Sequence, residues 1–184
     1  MTRVMPALDQ SITTSLARSV EVVAAPPSRS HAAMLTDDAL DFVADLVRQF
    51  RPAIARLGAR APRRDAPLPT RRSNVVRGLH LLERRIEVDG MPVPAGLLDF
   101  GLPFFHDARD EIARGVRPHV YLPAIENRDE ARLWNDVFVA AQRALGIPRG
   151  TLRATLRMRT LPAAVELDAI IYELREHSAP QPRG

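Results

Sequence analysis

The chain has 184 residues, 46% hydrophobic and 26% charged, which is enough for one domain with a real core but short of the ~250 residues of a complete eight-stranded α/β barrel. It contains no cysteine, so disulfides, thiolate metal sites and a cysteine nucleophile are excluded. The net charge of +4 rests on 26 basic residues that are all arginine; without lysine there is neither a Schiff-base lysine nor a P-loop lysine.

Residues 1–33 read as a flexible tail, rich in Ser, Thr and Ala and closed by Pro26-Pro27, with no sustained helical period. Arg3 and Arg18 suggest a transit peptide, but Asp9, Glu21 and the missing basic amphipathic face argue against one. A secretory signal needs a longer apolar core than this segment offers. The longest apolar runs, such as Val137–Ala141, are far below the ~20 residues of a membrane span. Together with the absent cysteine, these features lead to the expectation of a cytoplasmic protein.

Residues 34–58 are expected to form an N-terminal helical segment. Thr36 is a good N-cap, Asp37 and Asp38 suit the positive end of the helix dipole, and Val43, Leu46, Val47 and Phe50 follow at helical spacing. Pro52 is expected to close or kink the helix. Residues 59–74, punctuated by proline and rich in arginine, read as a linker.

From 75 to 178 strands and helices alternate. Val75–Leu81 reads as a strand. Arg85–Val88 alternates into the turn dipeptide Asp89-Gly90, with Met91–Val93 on the far side. Leu98, Phe105, Ala108 and Ile112 sketch a helix that stops near Gly115. Val120–Ile125 has strand length. Trp134, Val137, Phe138, Ala141 and Leu145 share one helical face, expected to lie buried against the sheet with Arg132 and Arg143 in water. Leu152–Thr160 is the next strand. Pro162 opens a last helix with Leu167, Ile170, Ile171 and Leu174 on one face, and residues 179–184 form a C-terminal tail. This order implies parallel strands joined by right-handed crossovers.

No generic catalytic motif is present: there is no phosphate-binding glycine loop, paired-histidine zinc helix or nucleophile elbow. The scattered histidines His80, His106, His119 and His177 read as hydrogen-bonded structural residues. Residues 48–85 hold eleven arginines against Asp65 and Glu83. Such a block either attracts phosphate or is a solvated connection. A nucleic-acid or polyanion module would centre on Arg56, Arg60, Arg63, Arg64, Arg71 and Arg72, but aromatic residues for stacking are scarce there.

Longer strings carry more information. Leu98-Asp-Phe-Gly-Leu-Pro-Phe-Phe-His106, Tyr121-Leu-Pro123 and Glu130-Ala-Arg-Leu-Trp-Asn-Asp-Val-Phe138 are followed by Ala144-Leu-Gly-Ile-Pro-Arg-Gly-Thr-Leu-Arg-Ala-Thr155, Thr160-Leu-Pro-Ala-Ala164 and Tyr172-Glu-Leu-Arg-Glu-His-Ser178. In order and spacing they resemble malate synthase of the A type, and Leu35–Leu46 resembles that family's opening helix. The resemblance implies an α/β chain: an incomplete (β/α) barrel of malate synthase type with an N-terminal helix and about three family strands. It implies acetyl-CoA and glyoxylate as substrates and a place in the glyoxylate bypass. It also implies Mg²⁺ held by a glutamate and an aspartate, a carboxylate base and an arginine that stabilises the enolate.

Carried over residue by residue, little of that machinery remains. The metal-binding glutamate directly precedes the Thr-Leu-Pro-Ala string, where this chain has Arg159. The family's second metal ligand and base lie in segments beyond the Arg-Glu-His-Ser string, which this sequence does not include. The family motif Arg-Pro-Arg-Gly-Trp-His-Leu stands here as Val75–Leu81, so Arg77 is the one catalytic carry-over; a strand-end arginine pairing with a carboxylate such as Glu126 is its structural alternative. The expected state is a degenerate member without turnover, with Mg²⁺ not bound. The rival readings are the polyanion module and a structural partner that self-associates through an open sheet edge.

Overall fold

Thr36 opens the longest helix: its hydroxyl accepts from the amide of Ala39 at 3.4 Å. In the computed structural model, which describes residues 20–25, 29–58, 75–123, 125–157 and 165–178, this helix (α2, Asp37–Gly58) follows a strand β1 (Val20–Val22) and a single turn α1 (Arg29–Ala32). A hairpin comes next, β2 (Leu82–Val88) and β3 (Met91–Pro94), then α3 (Ala95–Ala113), β4 (His119–Pro123), α4 (Arg128–Ala144), β5 (Arg153–Arg157) and α5 (Leu167–Glu173). The proposed linker 59–74 and the tail segments 1–19 and 179–184 lie outside the described residues.

The strands form two sheets. β1, β2 and β3 are antiparallel, and the hairpin turns on Asp89 (φ 56°) and Gly90 (φ 71°), the paired positive φ values that a tight two-residue turn requires. Arg48 of α2 forks onto the Asp89 carboxylate at 2.8 and 2.9 Å, while Arg51 donates to the carbonyls of Val88 and Met91. The second sheet is parallel, with β4 and β5 in register from His119↔Arg153 to Pro123↔Arg157. It is extended by a parallel bridge on either side, Val75↔Tyr121 and Ala154↔Ser178. Four strand positions therefore lie in sequence order with α3, α4 and α5 between them, one more than the three expected. Among the described residues this is an open portion of a barrel and not a closed one.

The core sits between the parallel sheet and the helices. Phe100 of α3 meets Phe138 at 5.2 Å and Trp134 edge-on at 6.2 Å between ring centroids. Trp134, Val137, Phe138 and Leu145 are buried, and Arg132 and Arg143 are exposed. Trp134 also packs on α3 through Phe100. Gly96 explains how: a Cβ there would stand 2.6 Å from the Arg77 carbonyl and 3.2 Å from the Trp134 ring, so only glycine lets the three segments meet.

Several expectations need correction. Val20–Val22, assigned to the tail, pairs with β2 through Val20↔Val88 and Val22↔Ile86. α2 runs through Pro52 to Gly58, because Phe50 and Ile54 continue its buried face across the proline. Val75–Leu81 is not a strand beyond its first residues. The amide of Val76 reaches the Tyr121 carbonyl, but that of Arg77 is taken by Asp99, and Leu81 then bonds back to Gly78. Ile170 of α5 and Leu174 just past its end are buried, while Ile171 is 45% exposed, since among the described elements this short helix packs chiefly on α4.

Candidate active-site face

Ligands of a (β/α) barrel bind where the strands end, in the loops that follow them. Here that end carries Arg77 after Val75-Val76, and Glu126 with Glu130 after β4. Arg159, beyond β5, lies outside the described residues.

Arg77 is drawn into a buried ion cluster. Its Nε and Nη2 donate to the two oxygens of Asp99, each at 2.8 Å, and its backbone amide donates to the same carboxylate at 2.9 Å. Nη1 donates to Glu83 at 3.1 Å. The residue is 8% exposed. Burial disfavours the guanidinium charge, but the hydrogen bonds and charges of Asp99 and Glu83 outweigh it and raise the arginine further above its ordinary value. Asp99 is on α3 and Glu83 on β2, so the cluster fastens the loop after Val75 to both. The carboxylates are therefore these two and not Glu126. Asp99 lies within the Leu98–His106 string that the sequence singles out; nothing local marks it as the partner of Arg77.

Glu130 opens one of the family strings, but nothing in the sequence gives it a role at the site. Asn127 caps α4 by accepting from the Glu130 amide at 2.9 Å, and the Glu130 carboxylate accepts from the Glu126 amide at 3.2 Å. Burial pushes Glu130 up to about 7; the bond from the Glu126 amide pulls the other way, and the Glu126 charge adds to the rise. Its folded pKa exceeds its unfolded one, so the stability it confers is complete below the ordinary glutamate value and is lost as pH rises through about 7. Glu130→Gln keeps an acceptor for the Glu126 amide and has no charge to bury. It is expected to stabilise the protein by about 1 kcal/mol or more at pH 8 and by little at pH 5, read as a shift in urea midpoint. Destabilisation at pH 8 would show that the carboxylate is held in its charged form.

The other candidates are structural. His106 Nε2 contacts the Met34 carbonyl at 2.9 Å, and His119 Nε2 contacts Thr155 Oγ1 at 2.9 Å. His177 is fully buried just beyond α5, between Gln142 and Asn135. A cleft lined by Asp107, Glu111 and His119 opens at the start of β4, the end of a barrel strand opposite the catalytic one. Among the described residues, no three His, Cys, Asp or Glu side chains gather as a metal-binding group, and no helix is long and apolar enough to cross a membrane. Of the six arginines named for polyanion contact, only Arg56 is described; Arg48, Arg51, Arg77 and Arg85 of the same block are engaged within the protein.

Comparison with known proteins places this geometry. Residues 74–181 match the family model of the malate synthase TIM barrel domain. The chain is 63% identical over 103 residues to a malate synthase of Myxococcus xanthus (strain DK1622), 54% over 104 residues to one of Streptomyces clavuligerus, and 48% over 103 residues to the glyoxysomal malate synthase of Candida tropicalis. Each match covers 56% of this chain and 19% of the relative, so the matched region spans about a fifth of the length of those relatives. With consecutive parallel strand positions, crossover helices between them and that family match over residues 74–181, the chain belongs to the malate synthase TIM-barrel family.

Proposed function

We propose that this chain is a degenerate, partial malate synthase barrel, derived from an enzyme of the glyoxylate bypass that condenses acetyl-CoA with glyoxylate, and that it has no turnover of its own in the cytoplasm. The observation that carries this reading is the state of Arg77. A guanidinium that stabilises a developing enolate must present free N–H donors to it. Arg77 instead commits three of its five guanidinium N–H groups and its backbone amide to Asp99 and Glu83, which turn its fork onto two carboxylates in a nearly dry cluster. The first position of the same motif, where the family has an arginine, is Val75.

The donor set does not fit Mg²⁺. Asp99 and Glu83 are committed to Arg77. Arg159 supplies a permanent cation at the position of the family's glutamate ligand.

The test is glyoxylate-dependent release of free CoA from acetyl-CoA. The purified chain is expected to give no release above a blank without protein, and Arg159→Glu is expected to restore none. Release that EDTA abolishes would overturn this reading.

A further inference from the structure

β2 departs from its partner in mid-strand, and a pocket opens against the departure. Glu83 pairs with Val93 and Glu87 with the adjacent Pro92, so Arg84, Arg85 and Ile86 stand against no residue of β3. Such a bulge bends a strand and re-aims its side chains. Glu83 holds it in shape: one carboxylate oxygen accepts from the Arg85 amide and the other from Arg77, each at 3.1 Å. Ile86 is buried, while the Arg85 side chain stays 45% exposed. Between the bulge, β1, the turn after α1 and helix α3 lies a pocket of about 420 Å³, the solvent at its mouth included. Val22, Met34, Leu35, Ile86, Leu98 and Leu102 line it, and the surface they offer is apolar. His106 of α3 fixes the turn that walls it, through its contact with the Met34 carbonyl.

We propose that this pocket binds a small amphipathic anion, a short aliphatic chain that ends in a carboxylate. The apolar lining offers nothing to a polar group, so the chain enters it and gains by leaving water. The head group stays at the mouth, where Arg85 meets it. Among the described residues the Arg85 guanidinium makes no hydrogen bond; its contact with Glu83 stands at 3.7 Å, beyond hydrogen-bond distance. Its planar fork matches a carboxylate. Glu83 does not compete for that fork, because both its oxygens already accept. Size narrows the class: the volume is near the lower end of the roughly 300–1,000 Å³ of small-molecule sites, which admits a chain of a few carbons and excludes a long acyl chain. The inference does not depend on turnover, and it stands whether or not the chain is catalytically silent.

The full chain with ¹³C-labelled methionine methyls reports on the pocket directly, since Met34 lines it and Met91, exposed on β3, does not. Hexanoate at neutral pH is expected to move the Met34 resonance saturably in the millimolar range and to leave Met91 in place. Hexanol, which has the chain without the charge, is expected to bind about fivefold more weakly, the weight of one partly exposed ion pair. Acetate, which has the charge without the chain, is expected to leave Met34 unmoved. Arg85→Gln is expected to bring hexanoate down to the level of hexanol and to leave hexanol unaltered. Leu102→Trp fills the pocket and is expected to abolish both. Should that variant fail to fold, Val22→Glu sets a carboxylate at the same mouth and is expected to remove the preference for hexanoate. An unmoved Met34, equal binding of hexanoate and hexanol, equal hexanoate binding by wild type and Arg85→Gln, or hexanoate binding that survives Leu102→Trp would each overturn the proposal.

Discussion

Replacing Arg77 with methionine is expected to cost the protein about 3–5 kcal/mol at neutral pH, the range typical of breaking one side of a buried ion cluster. The size follows from what is left behind. Asp99 and Glu83 have side chains only 6% exposed, and both lean on the same guanidinium. Without it, Arg85 at 3.7 Å remains as a cation near Glu83, and among the described residues Asp99 keeps the backbone amide of residue 77. Two like charges would then share a dry space, where the absence of water makes both desolvation and repulsion expensive. Replacing Asp99 with leucine in the same chain removes one stranded charge and is expected to recover part of the stability. Urea midpoints at pH 7 for the single and double variants measure both effects. A loss below about 1 kcal/mol at pH 7 would show that the cluster is effectively solvated, as surface ion pairs are.

His177 is expected to make the fold acid-labile. Gln142 is oriented by its Oε1, which accepts from the amides of Thr151 and Leu152 at 3.1 Å. Its Nε2 therefore donates, to the Phe138 carbonyl and to His177 Nε2. The imidazole must then be neutral with its proton on Nδ1, where it donates to Asn135 Oδ1 at 3.0 Å. Burial lowers the ring to about 4; the Glu176 charge opposes this, and the charges of Arg149 and Arg153 add to it. A proton on Nε2 would point at the Gln142 N–H with no acceptor between them.

The sign follows from linkage. The folded pKa lies below the unfolded value, so the stabilisation is full above about 6.5 and is lost as pH falls toward about 4. Over that interval the loss amounts to about 3 kcal/mol. Other carboxylates titrate in the same range, so the measurement is the difference between wild type and His177→Gln, which cannot titrate. Wild type is expected to be the more stable at pH 7, and the gap is expected to narrow by about 3 kcal/mol at pH 4. A gap independent of pH would mean that His177 is already charged or is reached by water.

Much of the fold was legible in the chain because its signals act over a few residues. Thr36 with Asp37 and Asp38 marks the start of α2, Asp89-Gly90 marks the hairpin, and the spacing of Trp134, Val137, Phe138 and Leu145 marks the buried face of α4. The family strings identified the barrel. The candidate site was less legible. Arg77 was singled out, but whether it faces a substrate or a carboxylate depends on Asp99, 22 residues away, and on Glu83 across the hairpin.

The tertiary structure alone decided those partners, and with them the fate of neighbouring elements. Once Asp99 takes the Arg77 amide, Val75–Leu81 cannot continue as a strand, although its sequence alternates like one. Ile171 has the spacing of a core residue but lies exposed, because helical period says which residues share a face and not whether another element covers it. β1 likewise is only three residues long, too short a pattern to stand alone, and is held by pairing with β2. Caps, turns and periodicity are properties of adjacent residues, fixed by backbone sterics and local hydrogen bonding. Charge pairing and edge pairing depend on which surfaces the packed helices bring within a few ångströms, and that is settled only when the whole core assembles.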